Sequence, residues 1–115
     1  MNGTLFWCTI YSIRKFGDIT LLSQSYVELT KNAQKDLIKV PDYIKEKLLI
    51  WVDAVERVGI REIRKTPGFH DEPLKGDRLG QRSIRLNKAY RAIYTENHKK
   101  EIIIISVIEV NKHEY

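Results

Sequence analysis

The run IIIISVIEV at residues 102–110 constrains the fold of this chain more than any other segment. Apart from Ser106 and Glu109 it contains only isoleucine and valine, whose branched Cβ favours extended backbone. An almost unbroken apolar run of this length is typical of a strand buried on both faces. We therefore expect the rest of the domain to cover this strand from two sides.

Three more strands are predicted. Residues 82–86 alternate polar and apolar side chains, residues 89–96 are rich in tyrosine and isoleucine, and residues 26–29 form a short candidate strand. Residues 97–100 are the predicted turn before the last strand. Many glycines and prolines within residues 66–81 indicate a loop there.

The hydrophobic pattern also predicts the register of one hairpin. A loop of residues 87–89 places Ile84 opposite Ala92, and Arg85 opposite Arg91 on the other face. A two-residue turn would mix the arginines with apolar residues, because a slip of one residue reverses every side chain. The three-residue loop is therefore expected.

Residues 30–58 carry helical signals. Thr30 offers a hydroxyl N-cap, Pro41 suits the first turn of a second helix, and Gly59 suits its end. Apolar residues recur at helical spacing between these signals, in the order Ala33, Leu37, Val40, Ile44, Leu48, Trp51, Val52, Val55 and Val58. Residues 60–65 could continue the second helix. The prediction is an α+β fold, with a helical hairpin packed on a small antiparallel β-sheet.

With 115 residues, the chain has the length of one domain. We place that domain at residues 26–115. Residues 1–25 have weak periodicity and are interpreted as an N-terminal extension, which could be a docked arm, a poorly ordered segment or an additional strand pair.

The net charge of +5 and the pI near 9.4 suit a polyanionic partner, either nucleic acid or an acidic protein. Cys8 is the only cysteine, which excludes an intramolecular disulfide and disfavours a cysteine metal site. No apolar run reaches the roughly 18 residues of a membrane span. We expect a cytoplasmic protein with no membrane partner.

One segment, residues 66–94, carries a family resemblance. It contains Glu-Pro-Leu-Lys-Gly at 72–76, Gly-Gln at 80–81 and Tyr-Arg at 90–91, and the chain ends in Val-Asn-Lys-His-Glu-Tyr. In this order the motifs resemble the RelE/ParE superfamily of toxins from toxin–antitoxin systems, in particular the HigB and YoeB branches. The resemblance covers residues 26–115 and implies a RelE-like fold.

The resemblance further implies a ribosome-dependent endoribonuclease that cleaves mRNA and needs no metal or other cofactor. It implies a cognate antitoxin as partner, HigA-like or another small DNA-binding protein, besides the ribosome and mRNA. The alternative is a ParE-like toxin, which shares the fold but inhibits DNA gyrase. A third possibility is a degenerate toxin that only binds an antitoxin or DNA.

Site residues follow from the same resemblance. Glu72 matches the carboxylate base of the YoeB branch, and His70 is the second candidate base. Arg91 matches the phosphate ligand, while His113 and Tyr115 match the family's terminal pair. The candidate phosphate or RNA ligands are Arg82, Arg85, Lys75 and Lys88.

Each of these residues also has an ordinary structural interpretation. Glu72 could be an exposed loop carboxylate, Arg91 could form a salt bridge, and residues 113–115 could be a frayed terminus. His98 lies in a lysine-rich turn and is interpreted as solvated. Ser83 stands where RelE relatives carry a second cation, which favours a HigB or YoeB type of site.

Overall fold

Residues 24–112 are described by the structure, which is a computed structural model. Its strands are β1 (Gln24–Leu29), β2 (Glu72–Pro73), β3 (Gln81–Arg85), β4 (Tyr90–Lys99) and β5 (Ile102–Lys112). Its helices are α1 (Lys31–Ile38), α2 (Asp42–Val58) and α3 (Ile60–Arg64). Two 3₁₀ turns, Pro67–Phe69 and Gly76–Arg78, flank β2. The predicted extension falls almost wholly on residues 1–23, outside the described residues.

The five strands form one sheet in the order β1-β5-β4-β3-β2. The pairs β2–β3, β3–β4 and β4–β5 are antiparallel, whereas β1 lies parallel to β5. The predicted α+β arrangement of helices on a small sheet is thereby confirmed, with one parallel pair added. A parallel pair is possible here because β1 and β5 are joined by a long connection through all the other elements.

The hairpin register predicted from the hydrophobic pattern is confirmed. Arg85 lies opposite Arg91, and Ile84 lies opposite Ala92. The loop is closed by the side-chain oxygen of Asn87, which accepts hydrogen bonds from the backbone amides of residues 89 and 90 at 2.7 Å each. This Asx turn explains why asparagine suits the first loop position.

Strand β5 is buried on one face only, so the prediction of burial on both faces is wrong. Ile103, Ile105 and Val107 are buried, whereas Ile102 is exposed and Ile104 is partly exposed. Ile103, Ile105 and Val107 belong to the core that the sheet forms with the helices, so the core lies on one side of β5. Alternate residues of a strand point to opposite sides, so the others turn away from the core.

Helix α2 supplies the centre of the core. Leu48, Trp51 and Val55 are fully buried, and the indole of Trp51 packs on the ring of Tyr94 in β4 with centroids 5.2 Å apart. This confirms the predicted packing of the apolar stripe on the sheet. Val58 departs from the prediction: it is 52% exposed, because it lies at the end of the helix.

Helix α1 is attached to a bulge in β5. The hydroxyl of Thr30 accepts from the amide of Ala33 at 3.2 Å, which confirms the predicted N-cap. The same hydroxyl donates to the carbonyl of Ile108 at 3.3 Å, and Asp36 accepts from the amide of Val110 at 3.0 Å. Backbone groups at the irregular β4–β5 register thus find partners on α1.

Gly59 separates α2 from α3 with φ of 100°, a left-handed region that side chains disfavour. Residues 60–64 therefore form a separate short helix and do not extend α2. Among the helices described, none is long and apolar enough to cross a membrane.

Candidate functional site

Two arginines stand side by side on the face of the sheet that turns away from the core. Ile84 precedes Arg85 and Ala92 follows Arg91, and these two apolar residues form a cross-strand pair that belongs to the core. Adjacent strand residues point to opposite faces, so the two arginines point away from the core. Arg85 is exposed and Arg91 is partly buried. Directly paired strand residues have Cβ atoms about 4.5–5.5 Å apart, so both guanidinium groups can reach one anion.

Glu72 joins the arginines from β2. It lies directly opposite Ser83, which stands two residues before Arg85 on the same face of β3. Glu72 and Arg85 are therefore diagonal neighbours across two strands, a separation that long side chains can bridge. His70 comes two residues earlier and has left-handed backbone, with φ of 48° and ψ of 51°.

A single cleft brings five of the predicted site residues together. They are His70, Glu72, Arg85, Lys88 and Arg91. The cleft is also lined by Ser83, Ile84, Asn87 and Tyr90. A carboxylate, an imidazole and three cations within one cleft provide proton acceptors and donors next to ligands for a phosphate.

Within residues 24–112, no three His, Cys, Asp or Glu side chains are grouped so that they could hold a metal ion. The cations of the cleft are suited to neutralise a bound phosphate.

Arg91 is oriented by β5, a contact that the sequence analysis missed. Its Nε donates to the side-chain oxygen of Asn111 at 3.4 Å, and the Asn111 amide donates to Glu109 at 2.8 Å. Glu109 also forms an ion pair with Arg78. The pairing of Arg91 with Asn111 depends on the β4–β5 register beyond the bulge in β5, because the hairpin turn alone would place Arg91 opposite Val110.

Two predicted RNA ligands lie outside the cleft. Lys75 is exposed beside the second 3₁₀ turn. Arg82 binds Asp71, with Nε 2.6 Å from the carboxylate. Arg82 and Arg85 are three positions apart on one strand, so they point to opposite faces and cannot hold the same phosphate.

Asp71 is the centre of a buried polar network on the core side of the sheet. Its side chain is 1% exposed and accepts from the hydroxyl of Tyr94 at 2.5 Å, in addition to the bond from Arg82. Arg64 donates to the Tyr94 oxygen at 3.3 Å and forms an ion pair with Glu96. The network ties the loop before β2 to β3, β4 and α3.

The network also shifts the pKa values of Tyr94 and Glu96. Burial, together with the hydrogen bond to Asp71, raises the pKa of Tyr94, so its hydroxyl stays protonated as a donor. Burial alone would raise the pKa of Glu96, but hydrogen bonds from Arg64 and His98 outweigh it and lower that pKa. His98, predicted to be solvated, is half-exposed, and its Nε2 lies 2.5 Å from the carboxylate of Glu96.

His113 and Tyr115 lie outside the described residues. The last described residue of β5, Lys112, pairs with Tyr90, one position from Arg91. The end of β5 therefore lies beside the cleft.

By sequence, the chain matches neither a protein-family model nor a curated protein. Solved structures do match, each with a probability of 1.00. YafQ from E. coli strain BL21(DE3) has a TM-score of 0.62 at 15% identity, over 78% of this chain and 94% of its own. The archaeal RelE–RelB complex from Pyrococcus horikoshii OT3 has a TM-score of 0.56 at 25% identity, over 77% and 94%.

The RelBE2 toxin–antitoxin complex from Mycobacterium tuberculosis has a TM-score of 0.56 at 22% identity, over 78% of this chain and 99% of its own. The chain has the fold of the RelE/ParE superfamily of toxins. The RelE-like fold that the resemblance of residues 66–94 implied is therefore confirmed. The assignment to the HigB branch of the superfamily stays a prediction. A YoeB/ParE toxin from Agrobacterium tumefaciens, with a TM-score of 0.56 at 23% identity, is also similar, so the fold alone does not choose between activities.

Proposed function

We propose that this chain is the toxin of a toxin–antitoxin module and cleaves mRNA on the ribosome without a metal cofactor. The observation that supports this most is the meeting of Glu72 and His70 with Arg85 and Arg91 in one cleft. Cleavage of RNA by its own 2′-OH requires a base, a cationic phosphate site and an acid. Side chains suited to the first two roles line the cleft.

The proposed base is Glu72, with His70 as the second candidate. The base removes the proton of the ribose 2′-OH, and the 2′ oxygen then forms a bond to phosphorus. The bond between phosphorus and the 5′ oxygen of the next nucleotide breaks, and that oxygen takes up a proton. Glu72 suits the first step because it is an exposed carboxylate on the same face as the arginines.

Arg85 and Arg91 are the proposed ligands of the scissile phosphate. Negative charge grows on the non-bridging oxygens during the attack, and two guanidinium groups oppose it at short range. Lys88 lines the same cleft and is proposed to bind a neighbouring phosphate. Lys75, outside the cleft, is proposed only as a ligand of ribosomal RNA.

His113 and Tyr115 are the proposed leaving-group side of the site. This part of the proposal rests on the family resemblance and on the position of Lys112, which pairs with Tyr90 beside the cleft. A histidine can give and take protons near neutral pH, and a tyrosine can stack on a base or donate to phosphate.

The proposed partners are the ribosome, mRNA and a cognate antitoxin. Two of the similar solved structures are complexes of a RelE-type toxin with its antitoxin. The +5 charge of this chain is suited both to RNA and to an acidic segment of an antitoxin. A HigA-like or other small DNA-binding antitoxin, and action in the cytoplasm, remain part of the proposal.

A ParE-like inhibitor of DNA gyrase is the second candidate function. It is favoured by the similarity to the YoeB/ParE toxin from Agrobacterium tumefaciens. A gyrase inhibitor has no need of a base beside two phosphate-binding arginines, and this makes it the less favoured function.

The test compares the wild-type chain with Arg91→Ala on programmed ribosomes. Cleavage is mapped by primer extension, with EDTA at a concentration that leaves the ribosomes intact, and supercoiling by gyrase is assayed in parallel. We expect cleavage by the wild type, loss of cleavage by folded Arg91→Ala, and no effect on gyrase. Expression of the wild type alone should arrest growth. Gyrase inhibition without cleavage would support the second function.

A further inference from the structure

The three side chains of the segment from His70 to Glu72 lie on both sides of the sheet. His70 and Glu72 line the cleft, whereas Asp71 between them is buried on the core side with a side chain 1% exposed. Adjacent residues of extended chain point to opposite sides, so the position of Asp71 on the core side places Glu72 on the cleft side. His70, with its left-handed backbone, lines the cleft from the position before Asp71.

Asp71 is held more firmly than a surface loop residue. It accepts from Arg82 at 2.6 Å and from Tyr94 at 2.5 Å, and Arg64 Nε lies 3.9 Å away. Tyr94 is itself fixed, because it is fully buried and packs on Trp51. A buried carboxylate with these partners resists displacement, since leaving one partner unpaired is costly.

The backbone beside Asp71 shows that this attachment has a conformational cost. His70 has φ of 48°, in the left-handed region that residues with a side chain seldom adopt and that costs them free energy. Such a conformation persists only where surrounding contacts fix it. The bonds of Asp71 are among these contacts, because they immobilise the next residue of the chain, and the amide of His70 adds a hydrogen bond to the carbonyl of Pro67 at 3.1 Å.

We propose that Asp71 is a positioning residue, which through Tyr94 and Arg82 holds His70 and Glu72 in the geometry needed for proton removal. The proposal rests on the proposed nuclease function. Asp71 does not contact the substrate in the proposed site, because its carboxylate lies on the core side of the sheet. The arginines of the cleft lie on β3 and β4 and do not depend on the loop, so substrate affinity should survive when the loop loosens.

The test uses Tyr94→Phe, which removes one hydroxyl and keeps the ring on Trp51. Asp71→Asn is a second variant, which keeps the shape and removes the charge. The matched control is Glu96→Gln, which weakens the Arg64 ion pair in the same network but contacts neither Asp71 nor the loop. All are compared under conditions where circular dichroism shows them fully folded.

Two readouts are measured. The first is the single-turnover rate of mRNA cleavage as a function of toxin concentration on programmed ribosomes. We expect the maximal rate of Tyr94→Phe to fall about 10- to 100-fold, because small misplacements of a catalytic group are this costly, while the half-saturating concentration changes little. The second is amide hydrogen exchange at residues 70–72, which should accelerate in Tyr94→Phe and not in Glu96→Gln.

The outcomes distinguish the positioning role of Asp71 from the proposed nuclease function. A wild-type rate and wild-type exchange in both Tyr94→Phe and Asp71→Asn would overturn the positioning role. A rate that falls equally in Glu96→Gln would also overturn it, since the network would then act on stability alone. If the wild type itself does not cleave, the proposed function fails, and hydrogen exchange still decides whether Asp71 holds the loop.

Discussion

Arg85 and Arg91 lie directly opposite each other on adjacent antiparallel strands, on the side of the sheet away from the core. Like charges in this position destabilise a sheet unless an anion joins them. The pair is therefore expected to bind a phosphate-like anion even without RNA.

We predict that sulfate raises the melting temperature of the wild type more than chloride does at equal ionic strength. An anion at ten times its Kd stabilises the folded state by about 1.4 kcal/mol. Sulfate also stabilises proteins by exclusion from their surface, so the informative quantity is the difference from Arg85→Ala. An equal rise in both proteins would contradict a site at the arginine pair.

Removal of either arginine should slow mRNA cleavage by about 10²–10³, by analogy with loss of an oxyanion donor. Glu72→Gln should cost about 10²–10⁴, the range for an acid–base group. Arg57→Ala is the matched control: its guanidinium binds Asp53 on helix α2, outside the cleft. Full activity in folded Arg91→Ala would place the reaction elsewhere.

Asn87→Ala should destabilise the hairpin that carries both arginines. Its side chain accepts two backbone hydrogen bonds, and their loss should lower the free energy of unfolding by about 1–3 kcal/mol. Urea unfolding measures the change, with Asn97→Ala on the exposed end of β4 as control. Equal stability of the two variants would show that the Asx turn is dispensable.

Glu96 should make the folded state sensitive to acid. Its pKa is lowered on folding, so its contribution is present above the ordinary value of 4.5 and is lost as pH falls through the folded value. Unfolding measured between pH 7 and acid should therefore show a smaller loss of stability in Glu96→Gln than in the wild type. Parallel curves for the two proteins would exclude this contribution.

Features fixed by local chemistry were predictable from the sequence. The N-cap at Thr30, the helix end at Gly59 and the register of Arg85 with Arg91 each depend on residues close together in the chain. The residues of the cleft were named from the family resemblance and not from local chemistry, with His70 and Glu72 in one short motif and Arg91 in another.

Features that depend on distant partners were not predictable. The parallel pairing of β1 with β5 joins segments almost eighty positions apart, and no local pattern distinguishes it from an antiparallel pair. The same holds for the contacts of Asp71 with Tyr94. Arg82 is different, because alternation along the strand already separates it from Arg85, so the sequence carried that signal.

The position of β5 in the sheet determines when the domain can assemble during synthesis. The strand that stands between β1 and β4 is the last described element of the chain, and it also supplies Asn111 behind Arg91. Until β5 has been synthesised, β1 has no neighbouring strand with which to pair, and α1 lacks its contacts with β5. Arg91, which we assign to the phosphate, gains its Asn111 partner only when synthesis has passed residue 111, so an unfinished copy lacks the contact that orients this arginine.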